Sequence, residues 1–286
     1  MLCQLTLAWQ YAESHKRILV INARRFHFKD PLSRYFTTEF KDIFLHPGED
    51  LLRHFDNLET YPPDLRGQCR HPPRKPMNPF SPPARSLSID LSQAYQEDLL
   101  VHYAHGGGEF GHEWLRKMRL VPEVALEIAK ALAVLGDDYD AVHIRNTDIE
   151  TKYLPFFREI FLQVRGRKLL VCSDDPVCRE AAKKFFVESQ VLTVTDIPDT
   201  DGVGLHCYAE RDVYTANLNM LTDLLALARA RRLFITKATG KSKAGEFSGF
   251  SFLARCLHNH PEIVDNLFTS LPPEFPFAGS PVPHSD

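Results

Sequence analysis

Short apolar runs alternate with amphipathic segments through the second half of the chain. Residues 141–145, 168–172, 190–195 and 232–236 read as buried strands, each short, rich in aliphatic residues and bounded by polar turns. Between and after them, 153–164, 176–187, 212–230 and 250–258 carry apolar residues at helical spacing. Strands alternating with helices across short connections predict a parallel, doubly wound sheet. Two longer polar connections, 196–211 and the Gly/Ser/Lys-rich 237–249, interrupt the rhythm.

The first half is less regular. Leu2, Leu5, Ala8, Trp9 and Ala12 share one face of a helix over 2–14, and Arg17–Asn22 reads as a buried strand. A helix feeding a parallel strand needs a strand before it. None precedes this helix, so the pattern predicts an N-terminal unit lacking its first strand. Residues 61–86 are rich in proline and arginine and predict a long irregular excursion over the surface. Leu99–Ala104 reads as a strand, 112–118 as helical, and Pro122 opens a helix that Gly136 closes. The change in pattern near Asp137 divides the chain into 1–136 and 137–270, with a Pro-rich, disordered tail over 271–286.

Composition narrows the field. A hydrophobic content of 44% in 286 residues supports a substantial core, and a net charge of −3 gives no support to bulk nucleic-acid binding. No apolar run approaches the length of a membrane span, and the N-terminal residues lack the pattern of a secretion signal. The cysteines, Cys3, Cys69, Cys172, Cys178, Cys207 and Cys256, form no C-x-x-C pair, which predicts reduced thiols and a cytoplasmic protein.

The chemistry gathers at predicted strand ends, where ligands bind in α/β proteins. Ala141–Ile144 runs into Arg145-Asn146-Thr147-Asp148, with His143 just inside. An arginine at such a mouth suits a phosphate or carboxylate, because its planar fork makes paired charge-assisted bonds; the plainer alternative is a solvated surface arginine. Ser173-Asp174-Asp175-Pro176 follows the next strand, with Asp175 at an N-cap position and Asp174 the better ligand-facing candidate. Asp223 interrupts an apolar helix face; a core arginine and a ligand are equal candidates for its partner. Ser248-Gly249 opens a helix after the flexible loop, a place that serves both a cap and a phosphate. Gly106-x-Gly108-x-x-Gly111 matches the dinucleotide fingerprint. The segment after it is helical, and the next strand ends in Arg145 rather than in an acidic residue, which argues against a nicotinamide enzyme.

Taken in order, strand-His-x-Arg-x-Thr-Asp, strand-Ser-Asp-Asp-Pro, Thr222-Asp223-Leu224-Leu225 within a helix, and Ser248-Gly249-Phe250-Ser251 resemble the nucleotide-binding half of the α-1,6-fucosyltransferase superfamily. The resemblance is to its bacterial nodulation branch more than to its animal branch. It covers roughly 140–258, and extends faintly to the first helix around Gln4. It implies a GT-B-like α/β fold, with two Rossmann-like domains and their parallel sheets facing a cleft, and GDP-fucose held by the second. By the same resemblance, His143, Arg145, Asp174, Asp175, Asp223, Ser248 and Gly249 hold the donor; in an inverting transfer Arg145 would stabilise the leaving diphosphate, and Asp148 or Glu150 would act as base. Gln4, Gly106, Gly107 and Gly108 face the acceptor. The animal pattern carries a second basic residue where this chain has Asn146, a lysine at Ile149 and a glutamate near Tyr153.

The expectation is a metal-independent, inverting glycosyltransferase that passes fucose from GDP-fucose to a glycan hydroxyl, with no cofactor, no nucleic-acid partner and no membrane span. The alternatives are a non-catalytic nucleotide-sugar or glycan-binding protein and, less favoured, an NAD(P)-binding oxidoreductase.

Overall fold

The computed structural model describes residues 2–23, 28–67, 89–102, 111–148, 150–198, 200, 205, 212–239 and 247–271. The second half is built as the pattern predicts. Strands β7 (Asp140–Ile144), β8 (Lys168–Ser173), β9 (Gln190–Leu192) and β10 (Arg232–Ile235) form one parallel sheet in the order β10-β7-β8-β9. Helices α5 (Tyr153–Val164) and α6 (Pro176–Phe185) carry the chain outward from β7, and α7 (Val213–Arg229) brings it back to the far side. The winding therefore reverses between β7 and β10. Helices α8 (Gly249–His258) and α9 (Pro261–Leu267) follow.

Alternation along the strands sorts the core into two layers, as a pleat demands. Val142, Ile144, Leu169 and Val171 pack with Phe157, Ile160 and Val164 of α5 and with Cys178 and Ala182 of α6. Ala141, Leu170 and Cys172 face the other way, against Leu224 and Leu225 of α7 and Ala254 and Leu257 of α8. The predicted strand 190–195 ends at Leu192, and helix 176–187 ends at Phe185. Asp175 and Asp212 cap α6 and α7: Asp175 accepts from the Val177 amide at 2.8 Å, and Asp212 from the Tyr214 and Thr215 amides at 3.1 and 3.2 Å.

The first half holds α1 (Leu2–Ser14), β1 (Leu19–Val20), β2 (Phe36–Thr37), β3 (Ile43–Phe44), α2 (Glu49–Phe55), β4 (Thr60–Tyr61), β5 (Leu99–Leu100), α3 (Gly111–Arg116), β6 (Arg119–Leu120) and α4 (Pro122–Ala133). Among the described residues its strands pair off in twos: β1 with β3 and β4 with β5 in parallel, β2 with β6 antiparallel. The buried strand expected over Arg17–Asn22 is only two residues long. Ile18 is 61% exposed, and the Arg17 guanidinium leaves the ladder to bond the carbonyls of Glu97 and Tyr95 at 2.8 and 2.6 Å. The parallel neighbour of β1 comes after it in the chain, at Ile43–Phe44, a segment whose pattern predicts no strand. Gly136 takes a positive φ of +69° past the end of α4, the conformation that closes a helix cheaply only with glycine.

The apolar core does not stop at residue 137. Trp114, Leu115, Met118 and Ile128 share one cluster with Leu221, Leu224, Leu257 and Phe268. Leu271, expected to begin the disordered tail, is buried in the same cluster; residues 272–286 lie outside the described residues, as do 68–88 of the Pro-rich excursion. Asn217 adds a polar tie, donating to the Phe28 carbonyl at 2.8 Å and to the Tyr35 hydroxyl at 3.1 Å. No described helix is long and apolar enough to cross a membrane.

At the start of β7, Asp140 is fully buried and accepts from Arg232 at 2.7 and 3.0 Å and from Arg167 at 2.8 Å, with Arg231 3.5 Å away. Burial alone would raise its pKa; the arginines outweigh it, and the carboxyl sits below the ordinary range. A depressed carboxylate contributes stability above its unfolded pKa of roughly 4, and that contribution drains as pH falls through the folded value. Asp140→Asn should cost about 2 kcal/mol at neutral pH, because it takes the charge from a buried acceptor that Arg232 and Arg167 bond, while the part-exposed arginines stay solvated. Its loss of stability below roughly pH 4 should also be shallower than that of the unaltered chain. Urea denaturation across pH 3–7 checks both.

Candidate functional site

The site builds outward from the carboxyl ends of β7, β8 and β10, beside the point where the winding reverses; crevices open there in doubly wound sheets. β10 lies against β7, with Ile235 opposite His143 and the Thr236 amide donating to the His143 carbonyl at 3.1 Å. Beyond the strands the two connections are tied together. Thr151 bridges to Ala238, and the Thr239 amide and hydroxyl both donate to the Glu150 carbonyl at 2.9 Å.

Asp174 organises the turn after β7. It is 4% exposed, and it accepts from the Asn146 amide at 2.7 Å, the Thr147 hydroxyl at 2.5 Å and the Arg145 guanidinium at 3.0 Å. Arg145, 18% exposed, also contacts Asp148 at 2.6 Å, and Asp148 stands at the open rim. Asp174, the better ligand-facing candidate of the sequence, thus holds the arginine and its turn in place. Asp175 is the α6 cap, and its second oxygen accepts from the Asn146 side chain at 2.8 Å. Asn146 in turn accepts from the Thr151 amide at 3.2 Å. Asn146 therefore knits the turn to both neighbouring segments.

His143 points to the other side of the sheet, against α8. Its Nδ1 is 2.7 Å from the Ser251 hydroxyl, and its ring packs against Phe250. Burial, with the nearby Arg145 charge adding to it, lowers its pKa to about 3, so the imidazole is neutral at physiological pH. Ser248 caps α8 by accepting from the Ser251 amide at 3.1 Å, and Gly249 begins the helix.

Asp223 stands apart from this group. It bonds Arg179 at 3.2 Å and the Thr195 hydroxyl at 2.8 Å, with its side chain 13% exposed. Burial raises its pKa against the pull of Arg179 and Thr195. A core arginine, one of the two partners the sequence offers, pairs with it. Arg179 is missed by the sequence pattern because an arginine in α6 looks like an ordinary surface residue; only the packed structure buries it, with a further bond to the Thr195 carbonyl. Ser251 is visible in the Ser-Gly-Phe-Ser motif, but nothing local announces that it reaches His143, 108 positions away.

On the first-half side, the Gln4 carbonyl oxygen lies 3.1 Å from Nε2 of His102, and His102 Nδ1 accepts from the Ile89 amide at 3.3 Å. That links α1 to the end of β5. Gly106, Gly107 and Gly108 lie outside the described residues, so only Gln4 of the acceptor-side group has a described position. Among the described residues no three His, Cys, Asp or Glu side chains gather in a way that could hold a metal ion. Cys172, Cys178 and Cys256 form no disulfide among the described residues.

No family model and no curated protein matches the chain. Solved structures do. NodZ α-1,6-fucosyltransferase soaked with GDP-fucose aligns at a TM-score of 0.57 and 15% identity, over 90% of this chain and 87% of that one. The chain has the NodZ fold. NodZ co-crystallized with GDP aligns at a TM-score of 0.56 and 16% identity, over 90% and 87% of the two chains. Fucosyltransferase NodZ from Bradyrhizobium aligns at 0.56 and 15%, over 90% and 88%. At this identity the likeness is one of fold: mixed α/β with parallel sheets, GT-B-like, as the sequence resemblance implies. The NodZ-like alignment spans both halves of the chain, although the sequence resemblance is confined largely to the second.

Because Asp223 and Arg179 compensate one another out of solvent, removing one strands the other. Asp223→Ala should lower stability by about 3 kcal/mol, and any ligand binding that survives folding should change little. Chemical denaturation of Asp223→Ala beside Arg179→Leu/Asp223→Leu checks this: the double variant should recover much of the loss.

Proposed function

We propose that this protein is a glycosyltransferase that binds a GDP-sugar, with GDP-fucose as donor, at the carboxyl ends of β7, β8 and β10. The observation that carries the reading is Arg145, held at the mouth of the reversal point by Asp174 and Asp148. The fold it shares with NodZ, structures of which were prepared with GDP-fucose and with GDP, adds support.

In this reading Arg145 spans the donor diphosphate, with His143 and the first turn of α8 beside it. Ser248, Gly249 and the positive end of that helix favour an anion. Asp175 and Asp174 keep the arginine's turn in register, and Asp223 keeps α7 packed beneath. An acceptor hydroxyl attacks the anomeric carbon from the face opposite the leaving diphosphate, so the configuration inverts. Negative charge grows on the departing phosphate, and Arg145 stabilises it more in the transition state than in the ground state. The hydroxyl proton goes to Asp148, the accessible carboxylate at the rim. The acceptor, a glycan, enters from the side of Gln4 and the Gly106–Gly108 turn. The arginine supplies the charge that a carboxylate-held cation supplies in other transferases, so the reaction needs no metal.

Arg145→Ala should weaken GDP binding by roughly 10- to 150-fold, the equivalent of a charge-assisted bond worth about 1.5–3 kcal/mol, and should nearly abolish transfer. Arg145→Lys should also fail, because the paired geometry is lost. Calorimetry with GDP together with a donor-hydrolysis and transfer assay checks this; a folded Arg145→Ala protein that binds and turns over normally would sink the assignment. Binding of GDP-fucose with neither hydrolysis nor transfer would point to a nucleotide-sugar-binding protein instead.

Chelator should leave donor binding and transfer within about twofold. Activity lost with chelator and restored by manganese or magnesium would place the chain among metal-using transferases.

A further inference from the structure

Two histidines are stacked where the two halves of the chain meet. His112 of α3 and His260, just before α9, lie ring on ring, with centroids 5.1 Å apart and planes 7° from parallel. They edge an apolar joint, in which Trp114 and Leu115 of α3 share the core cluster with Ile263, Val264 and Leu267 of α9. Asn266 adds bonds to the Arg116 and Met118 carbonyls at 3.1 and 3.3 Å, and Arg116 pairs with Glu262 at 3.1 Å.

The two rings are not equivalent. The His112 side chain is 12% exposed; its Nε2 stands 3.2 Å from Glu113 Oε1, while its Nδ1 is buried with no hydrogen-bond partner among the described residues. A carboxylate only accepts, so the proton of the neutral ring belongs on Nε2. A second proton would go to Nδ1 and become a buried donor with nothing to meet it. The His260 side chain is 42% exposed, with Nδ1 3.3 Å from Glu262 Oε1. Burial holds the His112 pKa below the ordinary imidazole value; Glu113 and Glu262 oppose the fall, and His260 and Arg116 add to it. Those four groups belong to α3 and to the start of α9. Other charges on the helices around α3 are turned elsewhere. Arg255 of α8 lies over Phe247 and Phe252, and His258 bonds the Ala228 carbonyl. Glu13 of α1 lines a groove with Lys16, Arg17 and Asp42, and Asp265 of α9 pairs with Arg229.

We propose that this stack is a pH-sensitive latch between the halves of the chain: it stays closed while His112 is uncharged, and it opens when acid charges both rings. In the closed form a second charge would face the first across centroids 5.1 Å apart and leave the Nδ1 proton of His112 unmet. Parting α9 from α3 gives both rings water and removes both costs. The parted form therefore binds more protons than the closed one, and linkage makes acid favour it. The value for His112 in the closed form lies below that of a solvated imidazole, roughly 6.5. The latch accordingly holds in full above that pH and weakens as pH falls toward the lower value. This window lies above the ordinary carboxylate range, which separates the latch from the acid loss at Asp140. The latch is independent of what the crevice at β7 binds.

Two measurements on the full chain test this. In an NMR titration of the ring C–H signals, assigned with His112→Phe and His260→Phe, His112 should reach half-charge below roughly pH 6.5; half-charge at or above that pH overturns the proposal. In hydrogen exchange, corrected for the intrinsic effect of pH, segments 111–118 and 260–271 should lose roughly tenfold in protection between about pH 7 and pH 5, the factor that one unit of pKa difference supplies. Strands β7 and β8 should keep theirs. His112→Phe keeps a ring in the stack and cannot charge, so its loss should shrink to under about twofold. Equal protection of the unaltered chain at both pH values overturns the latch. So does a loss shared equally by β7 and β8, or one that persists undiminished in His112→Phe. Should His112→Phe fail to fold, His112→Gln, which also cannot charge, takes its place, and the titration of the unaltered chain decides in either case.

Discussion

A buried carboxylate accepts the amide of one residue, the hydroxyl of the next and the guanidinium of the one before, all from the turn that follows β7. Asp174 makes these three bonds from the end of β8, the strand alongside. An ionised carboxylate out of water is costly unless its lone pairs are met, so the turn and the strand end hold each other in one conformation. Arg145 owes its place at the mouth to this tie. A long side chain at a strand end otherwise spends its freedom in solvent; here it is oriented before any ligand arrives, which lowers the ordering cost of binding.

The two ends of β7 are treated in opposite ways. At the amino end, Asp140 is surrounded by Arg167, Arg231 and Arg232, whose bonds close on the carboxylate. At the carboxyl end, one arginine meets two carboxylates, one of them buried and one at the open rim. The first arrangement seals the strand into the sheet and faces away from the reversal point. The second keeps a guanidinium beside the crevice. Parallel strands impose this polarity, because every carboxyl end lies on the same edge.

The polar groups beneath the site follow the same logic of compensation. Asp223, Arg179 and Thr195 connect α7, α6 and the segment after β9. His143, Ser251 and Ser248 connect β7 to α8. Each group joins elements distant in sequence, and each is satisfied chiefly from within the protein. Such networks specify one packing of helices on the sheet more sharply than apolar contacts do.

The order of strands and helices from residue 137 onward was legible in the chain, because aliphatic runs of strand length and helical spacing are local signals. Caps at Asp175 and Ser248 and the closing glycine at 136 were legible for the same reason: their partners lie within a few residues. Arg145 was visible as chemistry at a strand end. The sequence could not say that Asp174 would meet Arg145, that Asp223 would meet Arg179, or that His143 would meet Ser251, since those pairings join residues 29 to 108 positions apart. Nor could it say that β1 would find its parallel neighbour downstream in β3, a pairing of two residues with almost no pattern of its own. Local periodicity determined which segments became strands and helices. Which buried charge meets which partner was decided only when the sheet closed and desolvation made every unmet polar group costly.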